Sequence, residues 1–167
     1  MGTHEHKKHA PQRACMAVLS VSSTRSLEND ESGHWIKKSA GNTGHDVLLH
    51  QVVHDDFNEI RDAVTRCVND PEIQIIILTG GTGIARKDIT IEAVQPLFEK
   101  ELTGFAVLFA QLSYQEIGAA AMLSRATGGI IGNTMVFCIP GSLNACKLAC
   151  KELILPELGH LIKHAVE

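Results

Sequence analysis

Residues 73–90 read Ile73-Gln74-Ile75-Ile76-Ile77-Leu78-Thr79-Gly80-Gly81-Thr82-Gly83-Ile84-Ala85-Arg86-Lys87-Asp88-Ile89-Thr90, an apolar run that empties into a glycine turn and then into two bases and an acid. The run from Ile73 to Leu78 is β-branched, as long as a fully buried strand and bounded by turn residues, which predicts the centre of a parallel sheet. Gly80, Gly81 and Gly83 let the backbone turn with its N–H groups bare, and a helix starting at Asp88 to Thr90 would aim its positive end at the same place. Arg86 and Lys87 add positive charge, and Asp88 adds a carboxylate able to hold a divalent cation. The stretch reads as a phosphate cradle beside a magnesium ligand.

Outward from this centre, strands are expected at Cys15 to Val21 and Asp46 to Val53, with a helix from about Asp30 to Thr43 between them. Asp56 is placed to cap a helix that carries Ile60, Ala63, Val64 and Cys67 at helical spacing. Alternating strand and helix through residue 100 predicts βαβ crossovers and a mostly parallel sheet in a three-layer α/β/α arrangement. Beyond it, Ile89 to Lys100 reads as a helix, and Gly104 to Ala126 as helical pieces broken around Ser113 and Gly118. Gly128-Gly129 and Gly132-Asn133 read as a loop, Met135 to Ile139 as a buried strand, and Leu143 to Leu153 and Pro156 to Val166 as helices. The apolar stripe of Leu97, Phe98, Phe105, Leu108, Phe109 and Leu112 is assigned to a subunit interface.

The 167 residues fit a single domain at 13–167, preceded by an arm at 1–12 that carries His4, His6 and His9. A formal net charge of -4 and 4% aromatic residues give neither the basic field nor the stacking platforms of a nucleic-acid binder. Five cysteines in apolar company, at no Cys-x-x-Cys spacing, point to a reducing cytoplasmic setting. No apolar stretch is long enough to span a membrane.

Ligands of open α/β sheets bind outside the carboxyl ends of the strands. Four segments meet that description: Ser22 to Arg25, Asp55-Asp56, Thr79 to Asp88 and Pro140 to Ser142. The glycine turn is not a P-loop, since Ile84 follows Gly83 where lysine is required, nor a dinucleotide fingerprint, since Arg86 stands at the third small position. One of the adjacent acids Asp55 and Asp56 can cap a helix while the other faces the cleft, where Asp88 would complete a shared magnesium site. Arg125 suits either a bidentate clamp on an anion or a structural ion pair. Cys146 and Cys150 are spaced for core packing, and His160 and His164 for a solvated helix face.

Thr79-Gly80-Gly81-Thr82-Gly83 with Lys87-Asp88-Ile89-Thr90 and Glu92-Ala93, the upstream Gly44-His45-Asp46 and Val53-His54-Asp55-Asp56, and the downstream Leu123-Ser124-Arg125 and Pro140-Gly141-Ser142 resemble the MoaB/Mog family of molybdenum cofactor biosynthesis proteins. Leu112 to Gly118 and the Pro-Gly-Ser turn favour its MoaB branch. The resemblance implies a homotrimer or homohexamer that adenylylates molybdopterin with Mg-ATP, releasing pyrophosphate. It assigns Asp55 and Asp88 to magnesium binding and alignment. Nucleotide or pterin would be held by Ser22, Thr79, Gly80, Gly81, Thr82, Gly83, Lys87, Ser124, Arg125, Pro140, Gly141 and Ser142. Two departures stand out: Ser22-Ser23-Thr24-Arg25 lacks an aspartate common in that loop, and Lys87 stands where arginine is common. The alternatives are a molybdopterin-binding protein of the same fold without catalysis, and a nucleotide pyrophosphatase of the related competence-damage type.

Overall fold

The computed structural model describes residues 13–167; the histidine-bearing arm expected at 1–12 lies outside the described residues. Six strands form one sheet in the order β2-β1-β3-β6-β5-β4. β1 (Cys15–Val21), β2 (Asp46–Val53), β3 (Ile75–Thr79) and β6 (Thr134–Ile139) run parallel, whereas β5 (Thr127–Ile131) and β4 (Lys100–Glu101) add an antiparallel edge. All five residues of β3 are buried, as the apolar run Ile75 to Leu78 requires of a central strand, with Thr79 buried at its exit.

Alternate side chains of the strands divide between two apolar layers. Met16, Val18, Ile75, Ile77 and Phe137 face one layer, formed by α1 (Glu31–Asn42), α4 (Thr103–Ile117), α5 (Leu143–Ala149) and α6 (Leu158–Val166). Ala17, Leu19, Ile76, Leu78 and Cys138 face the other, formed by α2 (Phe57–Val68) and the short α3 (Thr90–Val94). The α/β/α sandwich with a mostly parallel sheet is the one expected. Asp56 caps α2, its Oδ1 accepting from the amides of Asn58 and Glu59 at 2.9 Å each. All five cysteines are free thiols, and burial pushes those of Cys138, Cys146 and Cys150 up, as suits small core hydrophobes.

Four elements differ from the sequence expectation. The helix expected over Ile89 to Lys100 stops at Val94, tightens into a 3-10 turn at Gln95–Leu97 containing Pro96, and gives way to β4. The loop expected at Gly128-Gly129 is the interior of β5, which pairs with both β4 and β6. α4 runs unbroken through Ser113, and a 3-10 segment, Gly118–Leu123, follows it. Phe105 and Phe109, assigned to an interface, are 5% and 2% exposed and pack in the core with Phe137. The apolar side chains left outside on this segment are Val107, Leu108, Ile117, Met122 and Leu123, with Tyr114.

Candidate functional site

Parallel pairing of β1, β2, β3 and β6 sends their carboxyl ends to one rim, and the four loops singled out in the sequence meet there. The exits are tied together through the backbone. Ser22 N–H donates to the Val53 carbonyl at 2.8 Å, and Gly80 N–H to the Ile139 carbonyl at 3.0 Å. Gly80 and Gly81 adopt φ of 100° and 65°, and a Cβ on Gly80 would run into the Val21 carbonyl, so the turn tolerates no side chain there. Thr90 closes the loop from beneath: its N–H donates to the Gly81 carbonyl at 3.0 Å and its hydroxyl to the Gly80 carbonyl at 2.7 Å. That arrangement corrects the expected helix-end contribution. The first amide of α3 is spent on the loop, and a five-residue helix has little dipole to offer.

The loops enclose a cavity of about 300 Å³. Its floor is the Gly80–Gly83 backbone. Because Gly80 N–H is already engaged, the available donors begin one residue later than expected; among the described residues, the amides of Gly81, Thr82 and Gly83 donate to no protein group. Thr82 is 2% exposed, and its hydroxyl is the buried side-chain polar atom without a partner among the described residues. An orphaned hydroxyl in a loop of bare amides costs free energy unless a polar ligand or water meets it.

Both expected carboxylates line this cavity. Asp55 Oδ2 accepts from the amide and the hydroxyl of Ser23, each at 2.8 Å, which leaves Oδ1 facing Gly81. Asp88 Oδ2 accepts from the Ala85 amide at 2.9 Å and lies against Gly83. Among the described residues no three His, Cys, Asp or Glu side chains converge as a ligand set. Carboxylate oxygens are hard ligands, so Asp55 and Asp88 are the residues here that could hold a magnesium ion completed by phosphate and water. Lys87, Ser22, Ser124, Pro140 and Gly141 also line the cavity.

Three expected binding residues stand elsewhere. Thr79 is fully buried, and its hydroxyl donates to the Pro140 carbonyl at 3.1 Å, joining two of the loops. Ser142 is the N-cap of α5, with Oγ accepting from the Ala145 amide at 3.2 Å. Arg125 turns its guanidinium to the protein: Nε donates to the carbonyls of Thr82 and Gly83 at 3.0 and 3.1 Å, and the terminal nitrogens to Glu92 at 2.5 and 3.2 Å. The hydrogen bond from Arg125 holds the Glu92 carboxyl below its ordinary value, against a smaller opposing effect of burial. Arg125 thus ties the end of the glycine turn to Glu92 of α3.

Arg25 and Thr24 line the cavity too and were not among the candidate binders. Arg25 donates from both terminal nitrogens to the Gly141 carbonyl, at 3.3 and 3.2 Å, and stands 3.8 Å from Asp30 Oδ1. Asp30, the N-cap of α1, is wholly buried; its Oδ2 accepts from Ser20 and meets His50 Nε2 at 2.7 Å, and its Oδ1 accepts from the Gly33 amide at 3.1 Å. Burial alone would raise the Asp30 carboxyl, yet the bonds from Ser20, His50 and Gly33 outweigh it and hold the group below the usual carboxylate range. A Cβ at residue 33 would overlap both Asp30 Oδ2 and His50 Nε2, so Gly33 is what allows that pair to form. The signal in the sequence was a helix-start acid two residues before Ser32-Gly33, but its partners are 10 and 20 residues away.

Among the described residues no helix is long and apolar enough to cross a membrane. The sequence profile of the family described as "Probable molybdopterin binding domain" matches residues 17–160. A Bacillus cereus protein named molybdenum cofactor biosynthesis protein B is 44% identical over 162 residues, covering 96% of each chain. A crystal structure of a protein of that same name is similar with a TM-score of 0.91 and 42% identity, over 94% of this chain and 98% of that one. The tungsten cofactor synthesizing protein MoaB from Pyrococcus furiosus is similar with a TM-score of 0.86 and 38% identity, over 95% of this chain and 100% of that one. With the profile spanning the sheet and every loop of the rim, this chain belongs to the MoaB/Mog family of molybdopterin-binding domains.

Proposed function

We propose that this chain acts in molybdenum- or tungsten-cofactor biosynthesis by transferring the adenylyl group of ATP to molybdopterin. The observation that carries the reading is one cavity combining three bare amides, an unpartnered Thr82 hydroxyl, two carboxylates from separate loops and the cations of Arg25 and Lys87. In this reaction the terminal phosphate of the pterin attacks the α-phosphorus of ATP, the α–β phosphoanhydride bond breaks, and pyrophosphate leaves. Two polyanions must be brought into line and their repulsion offset, which is mainly a task of positioning and charge. The amides of Gly81 to Gly83 and the Thr82 hydroxyl hold phosphate oxygens, and Lys87 adds a flexible positive charge. Asp55 and Asp88 would hold magnesium, which supplies charge neutralisation at the phosphates. Ser23 fixes the Asp55 rotamer through its amide and hydroxyl, so one oxygen stays directed into the cavity.

Self-association as a trimer, or a pair of trimers, is supported by the exposed apolar face of α4 and the segment after it, where Val107, Tyr114 and Met122 are 65%, 64% and 76% exposed. The test of the activity is incubation of the protein with ATP, magnesium and molybdopterin, followed by chromatography for adenylyl-molybdopterin and pyrophosphate. Product formation dependent on all three supports the proposal. Intact pterin binding with no product overturns the enzymatic reading and leaves a binding protein of the same fold.

A further inference from the structure

A second chemical constellation lies on α6, among residues that do not line the cavity. Leu158 and Ile162 anchor the helix in the core, while His160 and His164, four residues apart, turn outward with side chains 27% and 53% exposed. Their Nε2 atoms stand 2.9 Å apart. Each ring's other nitrogen meets a carboxylate: His160 Nδ1 lies 3.2 Å from Glu157 Oε2, and His164 Nδ1 lies 3.1 Å from Glu167 Oε2.

These three contacts constrain the protons. An ionised carboxylate only accepts, so each Nδ1 facing one must carry hydrogen, and in a neutral imidazole that leaves the lone pair on Nε2. Two neutral rings held this way bring one lone pair against the other across 2.9 Å, a contact relieved by a shared cation, either an added proton that makes one Nε2 a donor to the other or a metal ion bound by both. A carboxylate on the far nitrogen is also the arrangement that orients metal-binding histidines and raises their basicity. The spacing matches two ligands at right angles, which stand roughly 2.9 Å apart with metal–nitrogen bonds of about 2.0–2.1 Å, and would open slightly to the roughly 3.3 Å of a tetrahedral pair.

We propose that His160 and His164 form a bidentate site for a late first-row divalent metal ion of the zinc type, held in register by Glu157 and Glu167. Nitrogen ligands favour zinc, nickel or copper over magnesium, which separates this site from the carboxylate pair of the cavity. Since no third His, Cys, Asp or Glu converges among the described residues, the remaining coordination positions are open to water or to an external donor. The two glutamates offset the dication's charge. The inference stands apart from the proposed activity and does not depend on it.

The test uses zinc as the probe and the full-length chain with His4, His6 and His9 changed to Gln, so that the imidazoles of the first dozen residues do not contribute. Isothermal titration in excess magnesium is expected to give one saturable zinc ion per chain. His160→Gln and His164→Gln should each weaken it at least tenfold, and Glu157→Gln with Glu167→Gln by about tenfold, the usual range for the partners of metal-binding histidines. As a measurement that needs no change on α6, cobalt added to the same protein should shift the ring resonances of both His160 and His164 together. Absence of saturable zinc binding, unchanged wild-type affinity in either histidine variant, or unshifted ring resonances would each overturn the proposal.

Discussion

Two carboxylate neighbourhoods lie along one rim and are put to opposite uses. Asp30 is wholly buried with both oxygens engaged, by Ser20, His50 and the Gly33 amide, whereas Asp55 and Asp88 line an open cavity and each has one oxygen tied down, that of Asp55 by Ser23 of the loop after β1 and that of Asp88 by Ala85 of its own loop. A buried charge with every lone pair answered shapes the backbone and has nothing left for a ligand. A half-buried one held by a single oxygen stays oriented and keeps a valence for chemistry. Arg25 joins the two neighbourhoods, standing near Asp30 Oδ1 on one side and holding the Gly141 carbonyl on the other.

The sharpest way to break the contrast is Asp30→Ala. It strands the Ser20 hydroxyl, the His50 ring and the Gly33 amide in the interior, so urea unfolding should show a loss on the order of 3–5 kcal/mol. The pH dependence has a definite sign. Because the folded carboxyl titrates below the unfolded value of about 3.9, its stabilisation is fully present above that pH and is lost as the pH falls through the folded value. Wild type should therefore lose midpoint denaturant concentration in acid more steeply than Asp30→Asn does. Asp88→Asn should do the reverse of Asp30→Ala. It keeps an acceptor for the Ala85 amide, so stability should move by under about 0.5 kcal/mol. Turnover of pterin to the adenylylated product should fall at least about a hundredfold, or roughly 3 kcal/mol of barrier. Wild-type rates in that variant would remove Asp88 from the reaction. Arg125→Ala frees the carbonyls of Thr82 and Gly83 and lets the cradle drift, with an expected loss of about tenfold in kcat/KM. Smallest is Glu92→Gln, whose half-exposed pair with Arg125 should contribute under about 1 kcal/mol in thermal or urea unfolding.

Local chemistry made half of this legible in the sequence and hid the rest. β1, β2 and the Asp56 cap announce themselves through period, β-branching and helix-start geometry within a few residues. β5 did not, because Gly128 and Gly129 read as loop residues. They are glycines because the rings of Phe137 and Phe98 occupy the places their Cβ atoms would take, and those neighbours are set by tertiary packing. The helix expected to run through Pro96 to Lys100 ends before that proline, and a two-residue β4 is too short to carry a pattern. At the rim, the glycine turn and Asp88 were readable as one segment, and Asp55 as the residue beside a cap. Arg125 was ambiguous because its partners are backbone carbonyls 42 and 43 residues away, which have no sequence signature. The Ser20–Asp30–His50 group was hidden for the same reason.

The bare turn at Gly80 is buttressed by Val21 from the first strand and by Ile139 from the last, with β3 lying between β1 and β6. Such distant partners make the cradle a late event in folding, since long stretches of chain must be closed before these contacts form. A nascent chain that has emerged only as far as β5 already carries both acidic side chains and the glycines, yet lacks the strand that braces them. Competence to grip a polyanion thus arrives with the integration of β6, and a chain cut short before residue 134 would own the motif without the receptor.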